Sequence, residues 1–253
     1  MHSLAINLLA GKLGVCRLPS LKMAGMIRAL DQIDLAVPDV DAAIADHRLL
    51  FGRDDGGPEF AAANMTLRLV PGEGRTGLCR IAFAVDDLAE ATRLASNRGL
   101  MLEQATPDHD FAIALVEARP PIVPCAGTGR LTALDHVVIR TAAPERALAL
   151  YGARAGLDLR LDRSEPRWGT RLMFFRCGNL VVEIMSDLNA PVSDAPDRLW
   201  GLSWRSDDVD AARARLVAAG MDASAVRPGR KPGTRVFTVR SGTAGVPTIV
   251  VGT

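Results

Sequence analysis

Two residues are placed to do chemistry together. His136 sits in the run LDHVVIRT and Glu183 in LVVEIM, each a titratable group within a β-branched, apolar stretch. Successive side chains of an extended strand face opposite ways. His136, Val138 and Arg140 therefore share one face of their strand, and Val181, Glu183 and Met185 share one face of theirs. A carboxylate among such apolar neighbours needs a partner, because burying it alone is costly, and His136 is the obvious candidate. An imidazole beside a carboxylate can bind a cation, pass a proton to a ligand, or simply form a structural pair. The residue types leave all three open.

The elements that must position this pair recur along the chain. Gly201–Met221, GLSWRSDDVDAARARLVAAGM, echoes Arg80–Leu100, RIAFAVDDLAEATRLASNRGL, in its alternating apolar run, its Asp-Asp pair and its Ala/Arg-rich helical stretch. A fainter echo links LDQIDLAVPDVDAAIADHRLLFG, from Leu30, to LDHVVIRTAAPERALALYGARAG, from Leu134. Units in the order first, second, first, second imply a duplicated architecture. In the third unit the strand LDHVVIRT leads to a helix opened by Pro144 and Glu145 and ending near Gly156. The strands DLRLDR, TRLMFFRC and, past the Gly178-Asn179 turn, LVVEIM follow. The fourth unit runs from LSWRS through a helix over Asp208–Ala219 and the loop RPGRKPG to TRVFTVR and PTIVV. In the first half only MTLRLV and FAIALVE read clearly as later strands, and Ala118–Gly129, rich in Pro and Gly, connects the halves. Asp86-Asp87 and Asp207-Asp208 read as helix caps, and Phe83 and Trp204 as residues packed under helices.

Together LDHVVIRT, FRCGNLVVEIM, GLSWRSDDVDAARARLVAAGM and PGTRVFTVRSGTAGVPTIVV resemble the vicinal oxygen chelate superfamily, which includes glyoxalase I, methylmalonyl-CoA epimerase, extradiol dioxygenases and bleomycin-resistance proteins. The resemblance implies an α+β fold of tandem βαβββ modules, paired into two curved, barrel-like mixed sheets with helices outside. It implies an N-terminal extension over 1–25, a degenerate glyoxalase-like domain over 26–118, a linker over 119–130 and a second such domain over 131–253. By the same resemblance His136 and Glu183 become ligands of a divalent metal (zinc, nickel, manganese or iron), with Glu183 also catalytic. Arg140, Gly201 and Ser203 become substrate contacts of the same cup. The other two family ligand positions hold Gly201 and Ile249, which offer no donor, so a 2-His-1-carboxylate triad cannot be completed and extradiol cleavage is not expected. In the first half the matching positions are Gln32, Arg68, Arg80 and Ala114. Two arginines repel a cation; they suit an anionic ligand, which places Gln32, Arg68 and Arg80 as binding residues, or else solvated strand edges or intramolecular salt bridges. The implied activity is that of a glyoxalase-like lyase or isomerase; the alternative is a non-catalytic protein that sequesters a small molecule.

Composition narrows the rest. With 30 basic and 29 acidic side chains and no Lys/Arg block, the chain has no field for a nucleic-acid backbone or a membrane surface. Cys16, Cys79, Cys125 and Cys177 never form CxxC and read as reduced thiols of a cytoplasmic monomer or homodimer. There is no Gly-rich nucleotide loop and no nucleophile elbow, so no nucleotide cofactor is expected. In the first 25 residues the apolar run LAINLLAGKLGV is broken by Asn7 and Lys12, which suits an added strand or a transit-like leader better than a secretory signal.

Overall fold

The computed structural model describes residues 26–54, 56–120 and 127–253, so the leader-like stretch, Cys16 and Cys125 lie outside the described residues. The first half runs β1 (Ala29–Val37), α1 (Val40–Phe51), β2 (Glu59–Ala62), β3 (Met65–Pro71), β4 (Gly77–Val85), α2 (Leu88–Asn97) and β5 (Ala112–Glu117). The second runs β6 (Leu131–Arg140), α3 (Pro144–Ala147), β7 (Asp158–Glu165), β8 (Thr170–Cys177), β9 (Leu180–Asp187), β10 (Arg198–Ser206), α4 (Val209–Ala218), β11 (Arg227–Pro228), β12 (Arg235–Val239) and β13 (Thr248–Gly252). The strands form two curved mixed sheets, one ordered β2-β3-β1-β4-β5 and the other β11-β12-β13-β10-β6-β9-β8-β7.

One rule organises both sheets. Every unit sets its first strand parallel to its last, as β1 with β3, β4 with β5, β6 with β9 and β10 with β13. The two units of each half then meet along an antiparallel seam between their first strands, β1 with β4 and β6 with β10. Among the described residues the third and fourth units have three strands after the helix, whereas the first has two and the second one. The missing strands of the second unit are replaced by a turn whose His109 bridges Asp197 of the second half.

Local signals explain the helices. Asp39, Asp87 and Asp208 each accept a hydrogen bond from a first-turn backbone N–H, at Ala42, Glu90 and Ala211. Each such cap contributes about 1 kcal/mol. Of the other Asp in each pair, Asp86 binds Arg28 and Asp207 accepts from the Gly129 N–H. The helix opened by Pro144 differs from expectation: after one α turn, Leu148–Arg154 continues with π pitch. Gly152 there lies so close to the sheet that an added Cβ would meet the Phe175 ring at 3.4 Å.

The helices and the outer sheet faces build one continuous core. Trp204 is fully buried and meets Phe51 edge-on with ring centroids 4.9 Å apart, a contact between α1 and the second half. Arg215 of α4 donates to the carbonyls of Leu49 and Leu50 at the end of α1 and to that of Gly129. Phe83 is also buried, so both aromatics lie away from the inner sheet faces that form the cups.

Candidate functional site

β6 contains one residue more than β10 between two of their paired positions. Ser203 opposes His136 and Trp204 opposes Leu134, leaving Asp135 as a bulge. The bulge brings the Asp135 carboxylate alongside its neighbour, where it accepts from His136 Nδ1 at 2.9 Å and from Arg205 Nε at 2.8 Å. These hydrogen bonds, from His136 first and Arg205 second, hold the Asp135 pKa down to about 2. With Nδ1 committed to Asp135, the free nitrogen of a neutral ring is Nε2.

Nε2 faces Glu183. The parallel ladder of β6 and β9 pairs Val138 with Glu183, so the carboxylate comes to stand 3.7 Å from His136 Nε2 through Oε2. That is beyond hydrogen-bond length. The Glu183 side chain is only 13% exposed, and burial pushes its pKa up against the opposing pull of His136 and Arg230. The strand neighbours that share its face, Val138 and Phe174, are apolar. Ser203, the cross-strand partner of His136, is fully buried and its hydroxyl has no hydrogen-bond partner.

The remaining second-half positions provide no ligand. A Cβ on Gly201 would lie 2.9 Å from the carbonyl oxygen of Pro247, so the backbone itself fills that place. Ile249 opposes Ser203. Arg140 is exposed, its guanidinium 5.7 Å from the Trp200 ring. Among the described residues no three His, Cys, Asp or Glu side chains are arranged to hold a metal. His136 and Glu183 by themselves fit a divalent ion as half a shell: two donors at about 2.1 Å from one ion stand about 3.0 to 3.4 Å apart, which a small side-chain rotation reaches.

The first half repeats this register with different side chains. Asp34 pairs with both Arg68 and Arg80, Gln32 with Ala82, and Ala82 with Ala114. Gln32, Arg68, Arg80 and Ala114 thus occupy the places of His136, Glu183, Gly201 and Ile249. The bulge recurs too, at Asp31, which is held by Arg119. Around this cup lies a cavity of about 350 Å³ lined by Gln32, Arg68, Arg80 and Arg119 among others. Its polar groups are engaged with one another in intramolecular ion pairs. Arg68 grips Asp34 through Nε at 3.1 Å and Nη2 at 2.6 Å, Gln32 donates to the same carboxylate at 2.6 Å, and Arg80 makes two 3.0 Å hydrogen bonds to Glu103.

Sequence reasoning located His136 and Glu183 but missed Asp135, Asp34 and Glu103. Nothing in the sequence marked Asp135 as a bulge, and nothing marked Glu103.

Comparison with known proteins bears on this geometry. The sequence profile of the Glyoxalase/Bleomycin resistance protein/Dioxygenase superfamily matches residues 135–238. That match lies wholly within the second half of the chain. Over nearly the whole chain, the vicinal oxygen chelate fold is shared with solved structures. A mutant of 4-hydroxymandelate synthase from Streptomyces coelicolor is 15% identical with a TM-score of 0.65, covering 89% of this chain and 92% of its own. A halotolerant catechol dioxygenase is 13% identical with a TM-score of 0.66, covering 90% and 87%. Methylmalonyl-CoA epimerase from Mycobacterium tuberculosis is 22% identical over 50% of this chain and 91% of its own, with a TM-score of 0.42. No curated protein matches the chain.

Proposed function

We propose that the second cup is the reaction centre of a small-molecule lyase or isomerase that moves a proton at a carbon next to oxygen. The observation that carries this reading is the 3.7 Å gap between His136 Nε2 and Glu183 Oε2, where a free imidazole nitrogen faces a buried carboxylate. Asp135, itself held by Arg205, fixes the ring so that Nε2 stays aimed at the gap. Glu183 is the base: its raised pKa brings it nearer the range in which a carboxylate both accepts and returns a proton. His136 and Glu183 are also the residues that would hold a divalent ion (zinc, nickel, manganese or iron). Such an ion, when bound, polarises adjacent substrate oxygens and acidifies the neighbouring C–H.

The test is hydrogen–deuterium exchange in D₂O, read by NMR on a panel of small 2-oxo and 2-hydroxy compounds, together with elemental analysis of the purified protein. Wild type is expected to exchange at least one C–H that Glu183→Gln leaves unexchanged, and to retain metal that His136→Ala/Glu183→Ala loses. Equal exchange by wild type and Glu183→Gln removes the base, and equal metal content in the double variant removes the metal-assisted form. A second reading, sequestration without chemistry, is favoured by Gly201 and Ile249, which leave the ligand set at two side chains. It predicts binding with neither exchange nor metal.

A further inference from the structure

The eight-stranded sheet has β11 at one edge and β7 at the other. In a flat sheet these edges would be far apart, yet loops next to both of them touch. Trp168 belongs to the turn Pro166–Trp168 between β7 and β8, and Arg230 to the loop between β11 and β12. The Arg230 guanidinium lies over the Trp168 ring, 4.1 Å from its centroid. The sheet has therefore curled until loops beside its two ends touch, and the His136–Glu183 pair stands on the strands between them. Both members of this contact are exposed. Arg230 makes no ion pair with a carboxylate among the described residues, although its charge reaches Glu183 strongly enough to oppose the effect of burial there. An exposed cation fixed by an aromatic face, with no carboxylate partner among the described residues, is arranged differently from every arginine of the first cup.

We propose that Arg230, held in place by Trp168, is the specificity-determining residue of the second cup and selects small organic oxoanions, whose carboxylate or phosphate it binds at the mouth. The planar guanidinium presents paired donors to two anion oxygens, and stacking on Trp168 reduces the rotamer freedom that binding would otherwise remove. This rests on the reading of the second cup as the reaction centre, but anion binding needs neither a metal nor proton transfer.

Isothermal titration of the full chain with sodium pyruvate, sodium malonate and inorganic phosphate, with methyl pyruvate and dimethyl malonate as neutral counterparts, tests it. At least one anion is expected to bind at least tenfold more tightly than the neutral esters. Arg230→Ala should weaken it at least tenfold and Arg230→Lys by a smaller factor. Arg227→Ala, an equal loss of charge on the neighbouring strand β11, should change it less than twofold. Glu183→Gln should bind the anion at least as well as wild type while failing the exchange assay, which separates this proposal from the assignment of the base. The proposal is overturned if no anion binds wild type, if the neutral esters bind equally well, if Arg230→Ala binds like wild type, or if Arg227→Ala loses as much.

Discussion

The two cups are built on one register and differ in what fills it. Where the second cup sets His136 and Glu183 across a 3.7 Å gap, the first sets Gln32 and Arg68 at the same places and closes the gap with Asp34, which both of them grip. Where the second leaves Gly201 bare against the Pro247 backbone, the first has Arg80 reaching out to Glu103. A residue two positions along the first strand, Asp34 in one half and Val138 in the other, accounts for most of this difference. A carboxylate there completes an internal ion-pair network; a valine leaves Glu183 without a cation of its own and an imidazole nitrogen facing it. Polar groups in a duplicated cavity become available to a ligand only when they are not saturated by one another.

The largest expected effect tests the open pair. Glu183→Gln should reduce proton exchange by about 10²- to 10⁴-fold with little loss of folding, measured by NMR exchange rates alongside circular dichroism. Transplanting the first cup's solution, Val138→Asp with Glu183→Arg, should give a folded protein that has lost exchange altogether; retained exchange would break the comparison. Next comes the closed pair. Asp34→Asn leaves Arg68 and Arg80 with a weaker partner and should destabilise the chain by about 2 kcal/mol in urea unfolding, reduced from the fully buried case because Arg68 is partly exposed. Gly201→His, which would supply a third nitrogen ligand on paper, should lower thermal stability by about 1 to 3 kcal/mol and add no metal, because its Cβ enters the space of the Pro247 carbonyl.

The smallest effect is a pH dependence. The folded pKa of Asp135, about 2, lies below the value near 4 of an unfolded aspartate, so its contribution is fully present above pH 4 and lost as the pH falls toward about 2. Partial exposure limits it to about 1 kcal/mol. Glu183 has the opposite sign: its raised folded pKa favours folding below the unfolded value near 4 and loses that advantage as pH rises through the folded value. Asp135→Asn should therefore flatten the acid limb of stability between about pH 4 and 2, whereas Glu183→Gln should leave that limb and relieve the loss at higher pH. Denaturation midpoints across that range decide it.

Much of this architecture was legible in the chain. The repeats placed His136, Glu183, Gly201 and Ile249 opposite Gln32, Arg68, Arg80 and Ala114, and the observed strand register gives the same correspondence. Period-two alternation is a local property, and so are the Asp caps of α1, α2 and α4. The incomplete strand sets of the first half were visible as missing apolar runs. The bulge at Asp135 was not legible, because an extra residue in a strand is defined only against the partner strand it fails to match.

By itself, then, the sequence determined the fold class, the duplicated order of its units and which side chains lie on the inner face of each strand, since these follow from local periodicity and turn chemistry. Tertiary structure alone decided which polar groups are spent and which are free. Arg80 reaches Glu103, and Trp168 meets Arg230, across separations that no local pattern encodes. Those pairings follow from how far each sheet curls, and that curvature is set by the packing of whole faces against the helices.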